Sequence, residues 1–380
     1  MADHRVVIYL DYQATTPLAP EAFEAMVPLL RDQFGNPHST HRAGRQAAAQ
    51  VELARDRILM AMAMPLGKLV FTSGATEAIN ISLIGLLRSA PPARRRIVTL
   101  ATEHAAVRDT VLAMDGYETI LLPVGPDGLV NLETARSAIT SDTALVTAML
   151  VNNEIGVIQP VDALCDLAHA AGAVFLCDAV QGFGRVPLPQ QADALTISAH
   201  KVHGPKGVGA LWLCDGITIP PLLHGGGQEG GLRSGTLSPA LCAGFGVAAD
   251  LMHRLRDSDT QHTEMLWQAA LRLFDDWTIN GSMGARYHGN LNIRRDGIDG
   301  ARLLSECRDI AFSLGSACAS GSGRPSHVLQ AIGLSDKEAR GSVRIGFGRY
   351  TTIDELEGAA KAITQAAERQ LSVANGAHGS

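Results

Sequence analysis

Lys201 stands between the run ALTISAH (194–200) and the segment VHGPKGVG (202–209). The first reads as a short buried strand. The second, with Gly204-Pro205 and Gly207, reads as a tight turn. The chain has five lysines, Lys68, Lys201, Lys206, Lys337 and Lys361, and Lys201 is the one placed where an apolar strand runs out. Desolvation at such a point disfavours the ammonium, and a neutral amine condenses with an aldehyde to a Schiff base. A solvated loop lysine is the commoner meaning of that placement alone. The residues around it decide the matter.

Ser73-Gly74-Ala75-Thr76 follows the strand-like LVFT and opens a helix, a start whose free N–H groups suit phosphate as well as an ordinary cap. His104 ends ATEH, where a flat imidazole can stack on an aromatic ring and move protons. Asp178 ends AVFLCD, with Gln181 three residues on. A buried strand-end acid needs a cationic partner, and a pyridinium nitrogen is one. Asn153, in VNNEIG, is a donor for a phenolic oxygen or a carboxylate. Arg344, in SVRIGFGRY, has the planar fork for an α-carboxylate, with Arg349 as the alternative. A lysine amine, a ring-nitrogen acid, a strand-end histidine and a phosphate-type helix start are together the parts that hold pyridoxal phosphate.

The elements that must position these residues are legible in outline. Segments LVFT, RRIVTL, YETILLPV, TALVTAML, AVFLCD, LTISA and GALWLC alternate with helical stretches. This predicts a mostly parallel, seven-stranded-type sheet covered by helices, with ligands beyond the carboxyl ends of its strands. A helix is predicted from Pro20 to Leu30, a long one from Ala43 to Met64, and another from Ala240 to about Asp275, bent or broken near Asp257–Asp259. The strand-like RYHGNLNIRR and SVRIGFGRY, with a terminal helix from Thr352, predict a smaller α+β domain. The expected division is 1–20 as a segment packing on the small domain, 21–250 as the large cofactor domain, and 251–380 as the small domain.

A net charge of −6 and 4% aromatic residues argue against nucleic acid as the main ligand. No apolar run reaches membrane-spanning length, and the N-terminal run lacks a cleavable apolar core, so a cytoplasmic protein is expected. The six cysteines include no C-x-x-C pair, so no metal site is expected. Cys177 and Cys214 sit in apolar strand-like runs and read as small buried hydrophobes. Cys318 differs: it lies in GSACASGSGRPS, where a cysteine gains little by packing.

The segments LDYQATTP, FTSGATEAIN, TEHAAV, NNEIGVIQP, DAVQ, SAHKVHGPKGVGAL, HGGGQEGGLRSGTL and GSACASGS with PSHVL, in this order, resemble the cysteine desulfurases. These are fold-type I, class V enzymes of the pyridoxal-phosphate aminotransferase group, and the resemblance spans nearly the whole chain. It implies that Lys201 carries the Schiff base and Asp178 pairs with the ring nitrogen. Gln181 and Asn153 would meet the ring's oxygen side, and His104 would stack on the ring. Ala75, Thr76, Ser198 and His200 would hold the phosphate, while Thr236 would reach the phosphate of a neighbouring subunit, implying a homodimer. Arg344 would bind the carboxylate of L-cysteine. Cys318, in the longer loop form of the first group, would be the nucleophile that takes the sulfur and passes it to acceptors such as an iron–sulfur scaffold. Tyr12-Gln13, Ala78-Ile79 and Gly323-Arg324 depart from the usual family pattern.

Two other readings belong beside this one. Selenocysteine lyase, or another class V activity, needs no cysteine nucleophile. A scaffold that has lost activity would not keep Lys201, Asp178 and Cys318 together. Neither GPKGVG nor GGGQEGG follows a strand into a helix with nucleotide-binding spacing.

Overall fold

The computed structural model describes residues 7–314 and 326–376. The chain opens with β1 (Ile8–Tyr9), α1 (Pro20–Arg31) and α2 (Arg42–Met62). Pro20 pre-sets the first turn of α1, and α2 stops where Ala63 turns left-handed at φ 50. There follow β2 (Gly67–Thr72), α3 (Ala75–Ser89), β3 (Arg96–Leu100), α4 (Ala105–Leu112), β4 (Glu118–Leu122), α5 (Leu132–Ala138), β5 (Thr143–Met149), α6 (Val161–Ala170), β6 (Val174–Asp178), β7 (Ala194–Ser198) and β8 (Gly209–Cys214).

Strands β2 to β8 form one sheet in the order β2-β8-β7-β6-β5-β3-β4, with β8 antiparallel to both neighbours and the other pairings parallel. Alternate residues serve opposite faces. Val70, Ile97 and Leu145 pack with Ile79 and Leu83 of α3 and Val107 of α4. Phe71, Val98 and Val146 pack with Ile58 of α2 and Leu164 of α6. Both faces are therefore dry, as a parallel sheet requires. The carboxyl ends of β2, β3, β5, β6 and β7 all meet at one edge.

Helix α7 (Pro239–Arg254) lies along α1 and α2, and α8 (Arg256–Leu273) begins after one intervening residue. The interruption expected near Asp257–Asp259 is a break and falls slightly earlier, at Leu255, where φ −96 and ψ 7 leave the helical well. The break has a packing cause: α7 buries Phe245 and Ala249 against the large sheet, while α8 turns Leu266 and Trp267 into a second core.

That second core covers a small antiparallel sheet. Its members are β9 (Thr278–Ile279), β10 (Asn290–Arg294), then, after α9 (Gly300–Glu306) and β11 (Ile310–Ala311), β12 (Ser313–Leu314). Beyond α10 (His327–Ala331) and α11 (Asp336–Arg340) comes β13 (Ser342–Gly346), in the order β12-β13-β10-β9, and α12 (Ile353–Gly376) closes the fold. Strand β1 pairs in parallel with β11, and Asp11 bridges to Gly346, so the first residues join this second unit. Among the described residues no helix is long and apolar enough to cross a membrane, and no cluster of three or more His, Cys, Asp or Glu could hold a metal.

Candidate active site

A cavity of about 720 Å³ opens at the carboxyl edge of the large sheet, roofed by β13. That volume falls within the range of small-molecule and cofactor pockets. Ala75, Thr76, His104, Asn153, Asp178, Gln181, Ser198, His200, Lys201 and Arg344 all line it. The structure brings together in one place residues up to about 270 positions apart in the chain.

Lys201 follows β7 in a single helical turn, 199–201. Its Nζ donates to the carbonyl oxygens of Gln13 and Ala14 at 2.6 and 2.7 Å. Burial, reinforced by Arg185 and Arg344, pulls the ammonium down to about 7 against the opposing charges of Asp11 and Asp178. A weakly held proton on a positioned amine is what a nucleophilic or proton-moving lysine needs. Burial also takes the neighbouring His200 imidazole down to about 4, Lys201 adding to the effect, so this ring is neutral. Its Nδ1 lies 3.2 Å from Thr15 Oγ1.

Asp178 ends β6 and is buried; its Oδ1 accepts from Val180 N at 3.0 Å. Burial raises its carboxyl above the usual range, the Val180 amide, His104 and Lys201 opposing. Among the described residues no salt-bridge partner reaches it, so a cationic ring N–H is the kind of group this acid accommodates. His104 caps α4: its Nδ1 accepts from Ala106 N at 3.0 Å, leaving the ring proton on Nε2. The first-turn amides of α3 have no helical acceptor and border the cavity, beside Ser198. A lysine, a buried acid, an imidazole and a helix N-terminus so disposed fit pyridoxal phosphate.

Arg344, on β13, is 1% exposed. Its Nη1 donates to Asn153 O at 2.9 Å and its Nη2 to Asp11 Oδ1 at 2.8 Å, while Nε is buried without a partner. Arg349 does not share this cavity. It is paired with Asp259 through Nε and Nη2 in a separate hollow behind Lys201. Thr236 is exposed, in the turn before α7, and does not line the cavity. Cys318 lies outside the described residues, whereas both flanks are placed: Ser313 of β12 pairs with Arg344, and His327 lines the cavity.

Several residues of the site escaped the sequence reading. Gln181 Nε2 donates to Gln13 O at 2.9 Å, and Arg185 binds both Gln181 Oε1 and Lys201 O, the latter at 2.8 Å. Gln13 and Arg185 thus hold the lysine turn from below. Glu229, in GGGQEGG, is buried and takes Arg55 on both oxygens, at 2.9 and 3.0 Å, and Phe71 N at 2.7 Å. Arg233 pairs with Glu77 of α3 at 2.6 Å. The glycine-rich loop is therefore pinned to the cavity's phosphate-type wall from two sides. An acid flanked by glycines was the one signal that could have marked Glu229.

Residues 8–358 match the aminotransferase class-V family model, and the chain belongs to that family. The cysteine desulfurase IscS of Rickettsia bellii (strain OSU 85-389) is 41% identical over 368 residues, 94% of this chain and 90% of that one. The IscS of Rickettsia rickettsii (strain Iowa) is 40% identical over 362 residues, 92% of this chain and 88% of that one. Among solved structures, a NifS-like protein superposes with a TM-score of 0.88 at 32% identity, covering 94% of this chain and 98% of that one. SspA in complex with cysteine gives 0.80 at 32% identity, covering 90% and 99%.

Proposed function

We propose that this chain is a pyridoxal-phosphate-dependent cysteine desulfurase that converts L-cysteine to L-alanine and leaves a persulfide on Cys318. The observation that carries the reading is Lys201, with its proton held only to about 7, in one cavity with Asp178, His104, the α3 N-terminus and Arg344. Relatives named cysteine desulfurases, and the similar structure of SspA in complex with cysteine, support the substrate.

Bound pyridoxal phosphate would supply an aldehyde for amines and a ring that withdraws electrons from the substrate's α-carbon. Lys201 would hold it covalently, Asp178 would sit at its ring nitrogen, and His104 would lie against the ring. Gln181 and Asn153 would meet its oxygen side. Ala75, Thr76, Ser198 and His200 would hold its phosphate, joined by Thr236 of a second copy in a homodimer.

Arg344 binds the substrate carboxylate with the N–H groups that Asp11 and Asn153 leave free. Lys201 Nζ, neutral once its proton is lost, takes the α-proton and returns a proton to carbon. Cys318 Sγ, as thiolate, attacks the substrate's sulfur. The new S–S bond takes the place of the Cβ–S bond, whose electron pair stays with carbon and is protonated to the methyl group of alanine. The persulfide then goes to a sulfur-acceptor protein such as an iron–sulfur scaffold. All five described cysteines are unpaired, which supports a reducing, cytoplasmic setting.

The test is Cys318→Ser. This variant should keep the yellow cofactor absorbance and form no persulfide by mass spectrometry. Alanine and sulfide release at the native rate would overturn the assignment.

A further inference from the structure

His104 and Asn153 line the cavity, and each has a buried glutamate as its chain neighbour, Glu103 and Glu154. These two glutamates hold consecutive residues of one distant segment. The Ser326 hydroxyl donates to the Glu154 carboxylate, and His327 Nε2 donates to Glu103 O at 2.9 Å. The Ser326 oxygen accepts in turn from Val328 N and Leu329 N, at 3.1 and 3.2 Å, so the hydroxyl that binds Glu154 also caps α10. Val328, Leu329 and Ile332 then pack on Ile155 and Val157, just beyond Glu154. Cys318 lies eight positions before Ser326.

We propose that Glu154 and Ser326 form a positioning pair for sulfur transfer, tying the chain that carries Cys318 to the cavity wall beside Asn153 and Arg344. The proposal rests on the assignment of Cys318 as nucleophile.

The pair is overdetermined by its hydrogen bonds. Ser326 spends its one proton on Glu154 and its lone pairs on α10, and Glu154 passes its own backbone oxygen to Asn292 Nδ2 at 3.0 Å. Removing either partner leaves the other without this hydrogen bond. Burial pushes the Glu154 carboxyl up to about 7, with Ser326 and Arg344 opposing, so the serine is part of what keeps the acid in place. A thiol must come within bonding distance of one sulfur atom, and an error of about 1 Å in placing a reacting group costs on the order of 100-fold. Neither residue breaks or forms a covalent bond; they act through Cys318.

The holoenzyme carries the test. In single-turnover mixing with L-cysteine, Ser326→Ala and Glu154→Ala should form the Cys318 persulfide at least about tenfold more slowly. In Ser326→Ala, cofactor absorbance and the L-cysteine concentration giving half-maximal spectral change should stay within about twofold of wild type. Glu154→Gln keeps an oxygen that accepts from Ser326 and should restore the rate to within about threefold. A native persulfide rate in Ser326→Ala, lost cofactor absorbance in that variant, or a glutamine variant as slow as the alanine one would each overturn the proposal. Should Glu154→Ala fail to fold, Ser326→Ala and Glu154→Gln still decide. A Cys318→Ser control that makes alanine at the native rate would instead overturn the underlying assignment, whatever Ser326→Ala does.

Discussion

Arg344 Nη2 lies 2.8 Å from Asp11 Oδ1, joining the strand that roofs the cavity to the segment that carries Gln13 and Ala14, the acceptors of Lys201. One ion pair therefore sets both the carboxylate-binding fork and the rest position of the lysine.

Replacing Arg344 by Lys removes the planar fork and keeps the charge. The expected result is a KM for L-cysteine raised about tenfold or more, since a bidentate site is not served by a point charge. Cofactor absorbance should be unchanged. Arg344→Ala leaves Asp11 without its partner and should also cost about 3 kcal/mol in urea unfolding. An unaltered KM in both variants would remove Arg344 from substrate binding.

Burial pulls Lys201 down to about 7, Arg185 and Arg344 adding to the effect, whereas an unfolded lysine titrates near 10.5. Between those values the unfolded chain binds a proton that the folded, cofactor-free chain lacks. Stability must therefore rise with pH across that window, and the penalty is fully present below 7. From pH 7 to pH 9 the gain is about 2 kcal/mol. Urea unfolding of the cofactor-free protein at pH 7, 8 and 9 should show the rise, and Lys201→Met should flatten it. A wild-type profile as flat as the variant's would mean that the lysine keeps an ordinary ammonium.

Thiol reactivity separates the cysteines. Burial, with acidic neighbours adding to it, pushes the Cys165 and Cys242 thiols up to about 12 and the Cys177 thiol well above the usual range. Thiolate, not thiol, reacts with aromatic disulfides, so these three should label only after unfolding. A fast phase in the native protein should vanish in Cys318→Ser. Persistence of that phase would assign the reactive thiol elsewhere.

The sheet was legible because its strands are short apolar runs ending in polar residues, and the site was legible because those ends carry Lys201, Asp178 and His104. Helix α5 was not: of LETARSA only Ala135 is buried, so no apolar stripe marks it. The two-residue strands β9, β11 and β12 are too short for any period to show, whereas β1 lies inside the strand-like run VVIYL. The support beneath Lys201 was hidden for another reason. Gln13 and Gln181 meet across 168 residues, through one side chain and one backbone carbonyl, and a carbonyl has no sequence signature. Asp11, Glu103 and Glu154 stand beside residues that were singled out, yet their partners Arg344, His327 and Ser326 became neighbours only when the small unit closed over the large sheet.

Gly209 opens β8 directly beneath the start of α3. A Cβ there would lie 2.8 Å from the Gly74 carbonyl carbon and 2.8 Å from Ile197 O, both backbone atoms that cannot swing aside. Gly209→Ala must therefore push the Ser73–Thr76 turn outward, away from Ser198, whose strand β7 pairs with β8 at this residue. The lysine, the strand-end acid and the arginine are untouched by that shift. Weakened retention of pyridoxal phosphate is expected, by about tenfold or more, when dialysed holoenzyme is titrated with the cofactor. Lys201 should still form its covalent adduct at saturation, because the aldehyde end of the pocket is intact. The contrast matters: a substitution that only softened the fold would lower the unfolding midpoint without favouring the phosphate end. Pyridoxal without its phosphate discriminates further, since its affinity should be nearly the same in Gly209→Ala and wild type. Equal loss for both compounds would mean that the α3 N-terminus does not hold the phosphate.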